Sequence, residues 1–182
     1  MEETKPISIP MVTCYKLRKD DEYLEVDHIM YRSMIGSLLH VTNTRLDVMQ
    51  DAGLVARFQS TPKETHVIAV ERILRYLKGT MNYGLWYPKR NNFTLREFTD
   101  GDWVGSIDDR KKTSGETFYL EDCLVSWLIK QQSSISLSIA EAEYIAAASC
   151  CTQVIWMKQT LEYLLVKYEA HPLLYTVIIQ VL

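Results

Sequence analysis

The spacing of apolar residues shortens at Gly79 from helical towards alternating, and that change constrains the order in which its elements can be laid down. Before it, Ile29, Met30, Met34, Ile35, Leu38 and Leu39 recur at helical intervals, and Val48, Met49, Ala52, Val55 and Ala56 repeat the pattern. A third helix is announced by Thr61-Pro62-Lys63-Glu64, which offers an N-cap, a proline at the first helical position and a capping-box glutamate. Val67, Val70, Leu74 and Leu77 then line one face as far as Gly79. Beyond Gly79 the period shortens towards two, in segments 83–87, 94–99, 117–120 and 124–129 separated by Asn-Asn, Asp-Gly and Glu-Asp turn signals. Ser138, with Glu141 three residues later, opens a long helix that continues to about Tyr168. After His171-Pro172 a β-branched run over 173–182 reads as a buried strand.

The order helix, helix, helix, strands, helix places the chain in the α+β or α/β class, with a mixed sheet if the last run joins the meander. The first 27 residues hold Lys5-Pro6, Ile9-Pro10 and the charged cluster Lys19 to Glu22, and read as an extended arm. Three segments follow: an arm over 1–27, a helical part over 28–80, and a mixed part over 81–182.

Composition narrows the partners. With 182 residues, 47% hydrophobic and only seven Gly and five Pro, the chain carries enough apolar content for an ordinary core. Its formal net charge of −3 excludes a uniformly basic nucleic-acid binder. The charge is uneven, however: residues 57–96 hold eight cations and two acids, a local excess of +6 against −9 elsewhere. Arg72, Arg75 and Lys78, on the third helix, are the cations of that stretch best placed to meet phosphates. Cys14, Cys123, Cys150 and Cys151 show no metal or disulfide spacing, which fits a reducing compartment. No signal peptide and no apolar run of the roughly 18 residues a span needs is legible, so the expectation is a cytoplasmic or nuclear chain, not secreted and without a membrane partner.

Carboxylates are the candidates for chemistry. Asp100 closes a strand before Gly101, and a plain Asp-Gly turn is the simplest use for it. Asp102 reads as a solvated turn residue. Glu141 is employed by its capping box, and Glu143, about 200° away around the helix, has no such task. A carboxylate at a strand end and another in the first turns of a following helix is an arrangement in which two acids share a divalent cation. His28, His40, His66 and His171 lack metal spacing. Trp86, Trp103, Trp127 and Trp156 suit core packing better than base stacking.

The longer motifs carry a resemblance. Y-R-S-M-I-G-S-L-L at 31–39, A-R-F-Q-S-T-P-K-E-T-H at 56–66, R-I-L-R-Y-L-K-G-T at 72–80 and G-L-W-Y at 84–87 resemble the reverse-transcriptase tail (thumb or connection) of copia-type LTR retrotransposon Pol polyproteins, plant elements above all. R-K-K-T-S-G at 110–115, C-L-V-S-W at 123–127 and A-E-A-E-Y-I-A-A at 140–147 resemble the ribonuclease H domain that follows it. The resemblance implies a helical tail followed by an incomplete ribonuclease H-like domain. The activity it implies is hydrolysis of RNA in RNA–DNA hybrids with Mg²⁺ or Mn²⁺, beside the polyprotein's own reverse transcriptase. Asp100 in F-T-D-G-D-W and Glu143 in A-E-A-E-Y match two of that family's catalytic, metal-holding carboxylates.

Two departures qualify it. The polymerase's Y-V-D-D motif is absent, and so is the C-D-N-x-S-A motif that brings a third ribonuclease H aspartate. Codons for Thr176 to Leu182, read one base earlier, permit Cys-Asp-Asn-Thr-Ser-Ala, so the ending is expected to be a frame-shifted reading of that segment in a decayed copy. Loss of one carboxylate implies an inactive copy. The rival expectations are a non-catalytic nucleic-acid-binding remnant, gripping phosphates through its basic helical part, and a chain whose uncovered sheet edge prevents a stable fold.

Overall fold

A computed structural model describes residues 4–12, 17–18, 23–89, 94–101 and 112–164. The chain divides into two units, residues 1–84 and 85–182.

In the first unit, Asp27 caps α1 (His28–Val41), its carboxylate accepting the Ile29 N–H at 2.8 Å. A single 3₁₀ turn at Leu46–Val48 leads into α2 (Met49–Ala56), and α3 (Glu64–Gly79) follows. The core draws Tyr31, Ile35 and Leu38 from α1, Val48, Ala52 and Val55 from the next two elements, and Ala69, Val70, Ile73 and Tyr76 from α3. Burying such side chains, each worth about 1.5–3 kcal/mol for an Ile, Leu or Val, holds three short helices that would be marginal alone. Ile7, Met11 and Leu17 of the expected arm pack against the same core.

The start of α3 differs from the expectation. Lys63, not Thr61, is the N-cap, Pro62 lies outside the helix, and the fourth group of the box is the His66 ring rather than Glu64. The cause is pairing with the arm. Val26 N–H donates to the Pro62 carbonyl and Glu64 N–H to the Leu24 carbonyl, both at 3.1 Å, which holds Lys63 extended and delays the helix by two residues. A polar knot closes the far end: Arg45 forks onto Asp47 at 2.9 and 2.7 Å, and also donates to the Thr80 carbonyl and hydroxyl. Tyr76 completes it by donating to Asp47 at 2.7 Å.

In the second unit β1 (Leu95–Asp100), β2 (Thr113–Leu120) and β3 (Cys123–Gln131) form an antiparallel sheet in that order. The described sheet is antiparallel throughout, so the architecture is α+β. β2 begins four residues earlier than its apolar alternation suggested, because Thr113, Ser114, Gly115 and Glu116 are buried despite being small or polar. Glu121 turns the β2–β3 corner with φ 55°, and its carboxylate accepts both the N–H and the hydroxyl of Thr94 at 3.0 Å. The segment expected as a strand at 83–87 forms none. Instead Tyr87 donates its hydroxyl to the Leu124 carbonyl and the Cys123 thiol approaches the Trp86 carbonyl, side-chain ties in place of a backbone ladder.

Ser138 caps α4 (Ile139–Tyr163) as the capping box requires, accepting the Glu141 N–H at 3.1 Å. Glu141 reaches back to the Leu137 N–H at 2.6 Å. Ala142, Ala146, Cys150 and Val154, four residues apart, form the buried stripe of α4, and Phe118 of β2 packs against Cys150 and Val154 with Leu95, Val125 and Met157 around them. The expected helix beyond residue 164, the run at 173–182 with its frame-shift reading, Asp102 and Trp103 all lie outside the described residues.

Candidate functional site

Small residues bring the end of β1 against the start of α4. A Cβ on Gly101 would stand 2.8 Å from the Ala142 carbonyl carbon and oxygen and from the Glu143 Cα, closer than any side chain tolerates. Glycine is therefore required here by close approach, not by its backbone angles. The consequence is that Asp100 and Glu143, widely separated in sequence, are held on neighbouring backbone. Gln132 braces the same corner. Buried at the end of β3, it donates from Nε2 to the Ser114 hydroxyl and to the Ala142 carbonyl, both at 2.9 Å, while the Ser136 hydroxyl donates to its Oε1 at 2.7 Å.

The two glutamates near the start of α4 part as the helical rotation demands. Glu141 is exposed, whereas Glu143 is half-buried with an Oε2 that has neither solvent contact nor a hydrogen-bond partner. A carboxylate oxygen in that state carries a desolvation cost that a ligand would relieve. Asp100 is exposed and opposes Gly115 across the sheet. Strand alternation turns Leu95, Glu97 and Thr99 towards the α4 side and Arg96, Phe98 and Asp100 to the exposed side. Any approach between the two carboxyls therefore runs around the end of β1, past the bare backbone of Gly101. Among the described residues no group of three or more His, Cys, Asp or Glu is arranged to hold a metal ion.

Further along the same face lies an acidic feature that the sequence did not flag. Glu116, 2% exposed, sits directly across from Thr99, and each keeps a buried side-chain oxygen without a hydrogen-bond partner. Burial pushes the Glu116 carboxyl above the ordinary range, partly offset by a hydrogen bond with Ser149 and the charge of Lys130. Burial likewise raises Glu97, against the charge of Lys158. It also pushes the Cys150 thiol up to about 12, with Glu116 and Glu97 adding to the effect. No motif announces Glu116, because an isolated glutamate between Gly115 and Thr117 reads as a turn or a solvent-facing strand position.

Two of the three cations of α3 have partners inside their own unit. Arg75 Nε donates to the Lys5 carbonyl at 2.9 Å and Lys78 Nζ to the Thr4 carbonyl at 3.0 Å. Arg72 is half-buried, with Nε shielded from solvent and lacking a hydrogen-bond partner. Trp86 and Trp156 are exposed, at 84% and 57%, where core packing was expected; Trp127 is half-buried.

Comparison with known proteins settles the family. The chain is 34% identical over 175 residues to the retrovirus-related Pol polyprotein from transposon RE1 of Arabidopsis thaliana, and 36% identical over 169 residues to that from transposon TNT 1-94 of Nicotiana tabacum. These matches cover 96% and 89% of the chain. It belongs to the retrovirus-related Pol polyproteins of copia-type transposons. This Pol chain spans only 12% and 13% of the length of those two relatives. It is also 34% identical over 131 residues to the secreted RxLR effector protein 161 of Plasmopara viticola, matching 71% of the Pol chain and 92% of that protein. No protein-family model matches it, and no solved structure does.

Proposed function

We propose that the second unit is the ribonuclease H-like part of a copia-type Pol polyprotein, whose function is metal-dependent hydrolysis of the RNA strand in an RNA–DNA hybrid. The observation that carries it is the contact of Gly101 with the first turn of α4, which seats the two motif-matched carboxylates, Asp100 and Glu143, on adjacent backbone. Glu143 supplies a buried carboxylate oxygen without a hydrogen-bond partner, a position suited to a divalent ion, and Asp100 offers a second carboxylate on the exposed side of β1. Bound there, Mg²⁺ or Mn²⁺ would neutralise phosphate charge and lower the pKa of an attacking water. Gln132 acts as a positioning residue, because its amide fixes the Ala142 carbonyl beside Glu143. Gly101, lacking a side chain, lets the strand end come into backbone contact with the helix.

Two carboxylates do not fix two ions in line with a phosphate, and this chain matches only two of the family's set. We therefore expect the chain alone to bind Mn²⁺ weakly and to cleave no hybrid. Calorimetric titration of Mn²⁺ should give binding in the millimolar range that Asp100→Asn and Glu143→Gln each abolish. Hybrid cleavage lost in Asp100→Asn would overturn the inactivity, and Mn²⁺ binding unchanged in both variants would overturn the site.

A further inference from the structure

From Tyr144 to Met157, about four turns, α4 carries no charged residue. One side of that stretch is the buried stripe of Ala142, Ala146, Cys150 and Val154. The other side is bare: Tyr144, Ile155, Trp156 and Tyr163 stand 78%, 50%, 57% and 86% exposed, with Ala148, Thr152 and Gln159 exposed between them. At about 100° of rotation per residue these side chains fall within roughly a third of the helix circumference. A helix face left to water normally carries charge. On this one the acids Glu141 and Glu162 stand only at the two ends. Thr152 already donates its hydroxyl to the Ala148 carbonyl at 3.0 Å, so a covering surface strands no polar group there.

We propose that this face pairs with the same face of a second copy of the chain, the two α4 helices running antiparallel about a two-fold axis beside Thr152 and Ile155. The gradient of side-chain size along the helix selects both the partner and the direction. Ala148 and Thr152 make the N-terminal half of the face shallow, whereas Ile155, Trp156 and Gln159 make the C-terminal half bulky. Antiparallel copies set each bulky half on the other's shallow half. Ile155 then meets Thr152, Gln159 meets Ala148 and Tyr163 meets Tyr144, each contact made twice, as a two-fold interface requires. A parallel pair sets Trp156 on Trp156 and Ala148 on Ala148, a clash at one level and a void at another. It also sets Glu141 beside Glu141 and Glu162 beside Glu162, like charges that antiparallel pairing keeps apart. Area agrees with pairing. Scaled by their exposure, three aromatics of about 150–250 Å² each, with the residues between them, offer roughly 700 Å² per copy, near the ~800 Å² per partner of a stable interface. Glu143 falls outside this face, so the pairing is independent of the ribonuclease H-like reading.

The test uses the full chain. Sedimentation equilibrium should show a monomer–dimer equilibrium with a Kd of about 1–100 µM, the weak end for an interface of this size. Trp156→Glu should raise that Kd at least tenfold. Ala148→Glu alone should do the same, and adding Gln159→Lys should bring the Kd back to within threefold of the parent, because each glutamate then faces a lysine of the other copy. A parallel pair would keep glutamate on glutamate and stay weak. Hydroxyl-radical footprinting of the wild-type chain needs no variant: Tyr144, Trp156 and Tyr163 should lose reactivity several-fold on going from monomer to dimer concentrations, while Trp86, 84% exposed, keeps its own. A monomer throughout, the outcome if another segment of the chain or a different partner takes the face, would overturn the proposal. So would a dimer indifferent to Trp156→Glu, or one in which Tyr144 and Trp156 stay reactive; failure of Gln159→Lys to rescue Ala148→Glu would overturn the antiparallel direction.

Discussion

Gly101 shows how a single atom governs this chain. The neighbours a Cβ would strike are backbone atoms of Ala142 and Glu143, which cannot rotate aside as a side-chain tip would. Gly101→Ala should therefore cost about 1–3 kcal/mol, the usual range for overpacking, read as a lower urea midpoint with an unchanged slope. A loss below a few tenths of a kcal/mol would mean that α4 shifts freely. Gln132 offers the polar counterpart. Replacing it by Leu leaves the Ala142 carbonyl short of one buried donor, and about 1–3 kcal/mol is expected from that orphaned group. Asp100 and Glu143 could be singled out as candidates because they stand in motifs. Gln132, Glu116 and Thr99 were not, since polar residues in a strand pattern are assigned to solvent until a helix is known to cover them.

At the scale of elements, caps and pairing compete. Ser138 fulfils the S-x-x-E signal: its hydroxyl accepts the Glu141 N–H while the Glu141 carboxylate accepts the Leu137 N–H. Ser138→Ala should lower stability by about 1 kcal/mol, checked by urea unfolding followed through helical ellipticity; no change would mean that Glu141's bond to Leu137 carries the cap by itself. The equally clear signal at Thr61 is overridden, since two long-range hydrogen bonds from the arm draw residues 62–64 into extended pairing before the helix starts. A local code loses when a distant segment satisfies the same backbone groups. The same logic explains 83–87: alternation alone cannot tell a strand from a segment tied down by side-chain bonds at Tyr87 and Cys123.

At the scale of the whole molecule, each unit carries an acid whose burial works against folding. Burial raises Asp51 in the first unit from 3.8 to about 6, and raises Glu116 in the second. A raised carboxyl binds more protons folded than unfolded between the two pKa values, so stability falls as the pH rises through that window and stays low above it. For Asp51 the window runs from 3.8 to about 6. Asp51→Asn and Glu116→Gln should therefore raise the urea midpoint at pH 7 relative to the parent, while leaving it nearly unchanged at pH 3.5. Each gain should appear only in its own unit, followed by amide exchange at Ile73 and at Phe118. A parent-like midpoint in either variant at pH 7 would show that the acid is relieved by a neighbour.

By itself the sequence determined the three-helix first part, three of the four strands expected after it, and the cap of α4. These depend on residues close together in sequence. Only the tertiary structure decided that Arg75 and Lys78 hold the carbonyls of residues 5 and 4, that His66 rather than Glu64 closes the cap of α3, and that Gly101 joins the end of β1 to α4. The physical reason is common to all three. A cation, an imidazole or a missing side chain has several equivalent uses on an isolated helix or strand, and which one it takes is set by the distant backbone that packing brings against it.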